Sequence, residues 1–523
     1  MASFGLGAFS TTARTLVGSE SGFLDRDGTL YISGSDAIEA TTGTNWLTNH
    51  GAIYAYGGGF AAIDAGGSVF EMFNGKDGSI DAENPTGGTI DIDVSTLANV
   101  VNHGTIHSMN SDAINFQDSD GAARFNLVNT GSITSNDGDA VDADTGDTYM
   151  YLSNSGFISG EANGLTLTSD STNTNNHVLN NTGTIEALEG VAVSFSLGNT
   201  GGFQVSNSGT ISGWFGGLST SRDTDVRVLN SGLIEVRGGF ASVFAIDLDG
   251  GDDVVRNTGT IQGNVDLSAG ADYLDNNGGV INGTVDAGSG SDTLAGGDLS
   301  DDFAGGADAD TIVGRGGDDL LNGDGGDDFI LGGAGNDDID AGADNDTVNG
   351  NAGDDSIYGE GGNDLLVGQD GSDYLDGSEG LDTMDGGNGD DILEGGNDND
   401  ILRGRAGEDD LAGGLGRDFL TGGQDADTFV FRSLAETVVG ANRDQILDFE
   451  QGVDLITVAG LSPGVFEFRG TAAFDPSGNP ELRLFETPTG STIVQIDADG
   501  DGTQDAEIRV ANVTGLTADD FVL

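Results

Sequence analysis

The chain has 523 residues, among them 92 glycines, five prolines and no cysteine, and its 88 acidic against 17 basic side chains give a formal charge of -71. A field of that sign repels nucleic acid and anionic membrane surfaces and favours cations as partners. The same composition is a mark of intrinsic disorder, so order has to be argued from a periodicity that buries side chains repeatedly.

Residues 1–44 open MASFGLGAFSTTARTL, with neither a basic n-region nor an apolar h-region, so no Sec signal peptide is expected. No stretch reaches the length of a transmembrane span, and this segment reads as an N-terminal cap. The lack of cysteine suits an oxidising environment without depending on disulfides.

Residues 45–286 carry a loose repeat: asparagine, a small or polar residue, glycine, and an apolar residue two further on. It reads NHGAI at 49, NHGTI at 102, NTGSI at 129, NSGFI at 154, NTGTI at 181, NSGTI at 207, NSGLI at 230, NTGTI at 257 and NGGVI at 277. Short alternating segments such as DAINF at 112, NGLTL at 163 and VAVSF at 191 lie between the marks. Asparagine near glycine suits a tight turn with positive φ, and two or three strands per repeat make a rung of a parallel β-helix. The last rungs shorten and acquire acidic turns, GGDDVV and AGADYL, so the helix is expected to pass into the next region without a linker.

From Ala287 to Val430 the sequence can be cut every nine residues without an insertion, as in GRGGDDLLN, GDGGDDFIL and GGAGNDDID. The sixth position is always aspartate: Asp292, Asp301, Asp310, Asp319, Asp328, Asp337, Asp346, Asp355, Asp364, Asp373, Asp382, Asp391, Asp400, Asp409, Asp418 and Asp427. The eighth is always apolar, from Leu294, Phe303 and Ile312 to Leu420 and Phe429. Glycines at the first, second and fourth positions permit left-handed or crowded backbone, and the last three residues make a short strand with one inward side chain. Two units close a turn of 18 residues. Stacked loops then bring carboxylates and carbonyls together as hard oxygen ligands, which suit Ca²⁺.

These units resemble the hemolysin-type RTX nonapeptide GGxGxDxUx. The resemblance implies a parallel β-roll binding several Ca²⁺ ions between turns, with the sixteen aspartates as metal ligands. Asp308, Asp344, Asp398 and Asp425 replace the fourth-position glycine, a change that aspartate tolerates in the left-handed region. Leu299 at that position, and Ala287 and Ala341 at the first, mark the weakest loops, those beside Leu299 above all.

Residues 431–523 lose both periods, and strands are expected in DQILDFE, VFEFRG, LRLFET, STIVQID and AEIRVANV. RDQILDFEQGVDLITVAG and the ending GLTADDFVL resemble the region after the roll in serralysin-like proteases and RTX lipases, which implies a cap carrying an uncleaved type I secretion signal in Asp519, Asp520, Phe521, Val522 and Leu523. Removing those five residues is expected to spare folding. DADGDGTQD at 497–505 imitates the start of an EF-hand loop but has Ile508 at position twelve, so an acidic hairpin turn is favoured over a further Ca²⁺ site.

No catalytic residue and no organic cofactor are assigned. His50 and His103 share one place in two NHG turns and read as structural, HExxH is absent, and Lys76, the one lysine, is followed by Asp77 rather than by a phosphate-loop serine or threonine. The expected fold is all-β: a right-handed parallel β-helix continuing into a calcium-binding β-roll with a C-terminal β-rich cap. The expected function is that of a secreted, extracellular or cell-surface calcium-binding protein with a structural, surface-layer or adhesive role. Its partners would be calcium, a type I transporter during export, and an extracellular glycan or other copies of itself. The alternative is a polysaccharide lyase or alginate-epimerase-like enzyme using the helix groove, with Arg124 or Tyr151 beside carboxylates.

Overall fold

The computed structural model describes all residues except 1–2, 7–8, 86, 118–122, 145–148, 169–175, 197–201, 240–242 and 459. Among the described residues there is no α-helix; one short 3₁₀ turn, Ala518–Asp520, is the sole helical element. The chain divides into two compact units, Met1–Gly288 and Ser289–Leu523.

The first unit is a parallel β-helix with three strands per coil, and among its described residues every strand pairing is parallel. One ladder ends its strands in asparagine from Thr44–Asn49 to Val254–Asn257, as in Arg124–Asn129 beside Met150–Asn154. After the NxG turn the chain enters a second ladder, as in Ser132–Ser135 beside Phe157–Gly160. The third runs through Asp112–Gln117 and Val141–Asp144. Alternation puts one side chain in two inward. The apolar residue of each NxGxI mark therefore stacks on its equivalent, Ile106 on Ile133 and Ile133 on Ile158, all fully buried.

The asparagines act differently from the expectation. They are buried, and the Nδ2 of each donates to the Oδ1 of the next at 2.8 Å, from Asn49 through Asn74, Asn102, Asn129, Asn154, Asn181, Asn207, Asn230 and Asn257 to Asn276. The glycines of the turns, Gly104, Gly131 and Gly156 among them, do not have positive φ. A Cβ on any of these would overlap the carbonyl oxygen of the glycine one coil earlier, so close stacking, and not a left-handed turn, excludes a side chain. Asn74, in NGKDGSI, belongs to the ladder although its loop is two residues longer than the repeat pattern, and the last member is Asn276, not Asn277.

The described strands among residues 3–44 join the same parallel ladders, where the sequence suggested a separate cap. Ser3–Leu6 pairs in parallel with Ser21–Leu24, which pairs with Trp46–Asn49, so no break falls at residue 44. These strands bury Leu16, Leu24, Leu30 and Ile38 by strand alternation but lack the asparagine mark, which hid them.

In the second unit each turn of the roll holds two strands, and pairing runs at an offset of 18: Thr311–Gly316 on Phe329–Ala334, and Asp302–Ala307 on Leu320–Gly325. The eighth-position residues from Leu294 to Phe429 are all buried between the two faces of the roll. Asp444–Ile446 and Leu455–Thr457 extend the two faces of the roll in parallel. An antiparallel set, Glu481–Glu486, Thr492–Asp497 and Ala506–Val510, then covers the end. The final residues belong to that cap: Phe521–Val522 pairs with Leu455–Thr457, and buried Asp520 accepts the Gly452 N–H at 2.9 Å. Cutting off the last five residues would therefore damage the cap, contrary to the expectation.

Candidate metal centre

Each loop of the roll is shaped by three positions. The second and fourth have positive φ in nearly every unit. At the fourth, Asp308, Asp344, Asp398 and Asp425 take φ of 75 to 80, as expected for aspartate standing in for glycine. At the second, Arg315, Asn351, Gln369 and Arg405 are also left-handed, a strained choice that the stacked loops enforce. The first-position glycine does not have positive φ but is crowded: a Cβ on Gly359 would lie 2.7 Å from Asp364 Oδ2 and 3.0 Å from the Gly377 carbonyl oxygen. The absent side chain leaves room beside a carboxylate and a carbonyl.

The sixth-position aspartates form an inward column. The N–H of Asp310 donates to Oδ1 of Asp328 at 2.7 Å, that of Asp328 to Asp346 at 2.7 Å, and that of Asp346 to Asp364 at 2.8 Å; the other face repeats this from Asp301 through Asp319 and Asp337. From Asp310 to Asp409 the second oxygen, Oδ2, is buried and has no hydrogen-bond partner in any unit. A carboxylate oxygen has no proton to offer, and burying a charge without a counter-charge is costly. Burial accordingly pushes these groups up, to about 7 at Asp319, Asp346 and Asp391 and to about 8 at Asp400; the accepted backbone N–H opposes the shift and neighbouring carboxylates add to it. The roll thus holds a row of buried anionic oxygens beside glycine carbonyls, a donor set that fits a hard divalent cation.

The loop holding Leu299 departs from this scheme. Neither Gly297 nor Leu299 is left-handed, the Leu299 side chain is exposed, and Gly297 N–H donates to Asp301 Oδ2 at 2.7 Å. That oxygen is already satisfied by the chain. Sequence reading missed the other end, where the scheme continues into the cap: Asp418 N–H donates to Asp444 Oδ1 at 2.9 Å and Asp427 N–H to Asp454 Oδ1 at 3.2 Å, with both acceptors buried. The signal was present in DQI and DLI, which keep the aspartate-to-apolar spacing after the nine-residue period ends.

The other candidates do not join this column. DADGDGTQD is the turn of the hairpin between Thr492–Asp497 and Ala506–Val510; Asp497 accepts the N–H groups of Gly500 and Gly502, and its carboxylate lies close to those of Asp499 and Asp501. His50 and His103 pack edge-on against Phe73 with ring centroids at 5.7 and 5.3 Å. His177 is buried on its strand, accepts the Met150 N–H at 3.3 Å and is pushed down to about 4 by burial.

The RTX calcium-binding nonapeptide repeat matches residues 296–330, 304–339, 331–366, 340–375, 367–402 and 403–431. These residues are RTX calcium-binding repeats. Repeats of this kind bind calcium in multiple copies, in keeping with the row of unpaired oxygens. No curated protein matches the chain in sequence. Among solved structures the chain is similar to the AlgE6R3 subunit of the Azotobacter vinelandii mannuronan C5-epimerase, with 25% identity over 34% of this chain and 78% of that one, at a TM-score of 0.19. No helix among the described residues is long and apolar enough to cross a membrane.

Proposed function

We propose that this is a secreted calcium-binding RTX protein whose roll folds when Ca²⁺ reaches it outside the cell, and whose β-helix serves a non-enzymatic structural, surface-layer or adhesive role. The observation that carries the reading is the unbroken row of buried Oδ2 atoms from Asp310 to Asp409. Residues 287–430 hold 37 acidic and four basic side chains, so a chain without metal repels itself and stays open. That is the state a type I channel passes. The aspartates from Asp292 to Asp427 are the ligands in this reading, and the cap pairs with the last turn and covers an edge that would otherwise invite aggregation.

The test separates export from folding. Asp519 is exposed and Val522 is partly so, whereas Asp520 and Phe521 are buried. Asp519→Lys with Val522→Lys alters the terminal signal without removing the cap's buried contacts. In a host carrying a matching type I transporter, the variant should stay inside the cell, while the purified protein still folds on Ca²⁺. Normal export of the variant would remove the signal from this terminus.

A second reading, an enzyme acting on polysaccharide through the β-helix, is favoured by one observation. Asp64, Asp91 and Asp142 share a row, with Asn115 on the coil between the last two, and burial together with neighbouring carboxylates pushes Asp64 up to about 6 and Asp142 to about 7. Arg124 and Tyr151 stand on a different ladder from these carboxylates, which weighs against that reading. Cleavage of alginate or pectin by the full chain, lost in Asp142→Asn, would replace the structural role with this one.

A further inference from the structure

We propose that the β-helix unit holds a calcium site of its own, outside the matched repeats, in the loop Leu248–Arg256 against Leu267–Asp275. The proposal rests on the reading that the aspartates of the roll ligate calcium. When these two segments are set beside the roll loops 314–322 and 332–340, position for position, four hydrogen bonds recur on the same atoms. In the roll, Gly317 N–H donates to the Ala334 carbonyl, Asp319 N–H to Asp337 Oδ1, Asp338 N–H to the Asp319 carbonyl, and Asn336 N–H to Asp318 Oδ1. In the helix, Gly251 N–H donates to the Ala269 carbonyl at 2.9 Å, Asp253 N–H to Asp272 Oδ1 at 2.7 Å, Tyr273 N–H to the Asp253 carbonyl at 2.9 Å, and Ala271 N–H to Asp252 Oδ1 at 3.1 Å. Backbone conformation agrees at two of the four left-handed positions: φ is 107 at Gly251 and 110 at Gly317, and Ser268 is left-handed like Gly333, whereas Asp249 and Gly270 do not share the positive φ of Arg315 and Gly335.

The feature that points to an ion is Asp253 itself. It is 1% exposed; its Oδ1 accepts the Val226 N–H at 2.6 Å, and its Oδ2 is buried with no hydrogen-bond partner. Asp225, Asp252 and Asp272 surround it, and no basic side chain pairs with it. A buried, unpaired carboxylate oxygen inside a loop with the hydrogen bonds of a calcium loop fits a hard divalent cation. Two differences limit the site. Val226 takes the aspartate's place one coil earlier, so the scheme ends at Asp253 on that side. Leu248 and Leu267 replace the first-position glycines, leaving less room beside the carboxylates than in the roll. This site therefore fills at higher calcium than the roll.

Hydrogen exchange of the full chain, in excess chelator and across a Ca²⁺ titration, tests this. Calcium should slow exchange at Gly251, Asp253 and Tyr273, with a midpoint above that of residues 305–409. Asp253→Asn keeps the side-chain shape and removes the charge. It should abolish the slowing at 248–275, lower bound calcium by about one ion per chain in equilibrium dialysis, and leave the response of 305–409 unchanged. Slowing in the roll without slowing at 248–275, or slowing there that survives Asp253→Asn, overturns the site while the calcium reading of the roll stands. If neither region responds, the calcium reading of the roll falls, and this site with it.

Discussion

Both units stack an inward polar side chain on its copies through successive turns, but one uses asparagine, from Asn49 to Asn276, and the other aspartate. The difference lies in hydrogen-bond inventory. An amide carries donors and an acceptor, so Asn129 can give to Asn154 while receiving from Asn102, and its Oδ1 also takes the Gly131 N–H. The ladder satisfies itself along its length. A carboxylate only accepts; Asp328 receives the Asp310 N–H on Oδ1 and keeps Oδ2 unpaired. One column is complete as a polypeptide, whereas the other is complete only with a cation. The two solenoids thus differ in whether they can fold before a divalent ion arrives.

The largest expected effect follows directly. In excess chelator at pH 7.5, residues 289–430 should lose β structure and amide protection while residues 44–247 keep both; calcium in the ~0.1–1 mM range should restore the roll. Segment-resolved hydrogen exchange reads both halves in one sample. A roll equally protected with and without calcium would erase the contrast between the columns.

Acid offers a second way to break it. The buried aspartates have folded-state values raised above the ordinary carboxylate value of 3.8, to about 7 at Asp355 and Asp382. Raised values mean that the folded, metal-free roll binds protons more tightly than the unfolded chain. Its stability is then greatest below about pH 4 and is lost as pH rises through about 7. In chelator, lowering the pH from 7.5 to 4 should partly restore β signal in the roll by circular dichroism, a proton replacing the missing cation. Calcium affinity should fall over the same window, because ligation requires the ionised form.

The amide column should be sensitive to a change that adds no charge. Asn154→Leu removes the acceptor of the Asn129 Nδ2 and of the Gly156 N–H and the donor to the Asn181 Oδ1, at roughly 1–3 kcal/mol for each buried group left without a partner. The loss should appear in chelator and in calcium alike. Near-neighbour energetics confine it to the adjacent coils, which hydrogen exchange at 125–207 would show.

Much of this was legible because the repeats expose their rules. The nine-residue period located the buried aspartates and the apolar core, and the NxGxI mark found most coils with their stacked isoleucines. What the marks signified was less legible. The asparagine read as a turn former, because local turn chemistry is visible in a sequence and a bond to a residue about 25 positions away is not. The glycines of both units conceal two demands, positive φ at Gly317 and absence of a Cβ at Gly314, that one letter cannot separate. Residues 3–44 and the pair Asp444 and Asp454 escaped because period or mark was broken, although the backbone there continues the same ladders. Folding of the final residues against Leu455–Thr457 depends on long-range pairing that a terminal motif does not reveal.

The smallest expected effect is also the sharpest test of the comparison, since it turns one rung of the aspartate column into the other kind. Asp346 has its N–H on Asp364, its Oδ1 on the Asp328 N–H and its Oδ2 unpaired. Asp346→Asn keeps the Oδ1 acceptor and converts the orphaned oxygen into a donor facing the neighbouring carboxylates. The variant should bind less calcium at that turn, yet its metal-free protection at 328–364 should exceed that of the parent, because one buried negative charge is gone. Asp346→Ala removes the acceptor too, leaving the Asp328 N–H unmatched at about 1–3 kcal/mol, and should lower protection in both conditions. Opposite signs for the two variants in chelator are the expected outcome. If Asn and Ala behave alike there, the unpaired charge is not what keeps the metal-free roll open, and the contrast between the columns would rest on packing alone.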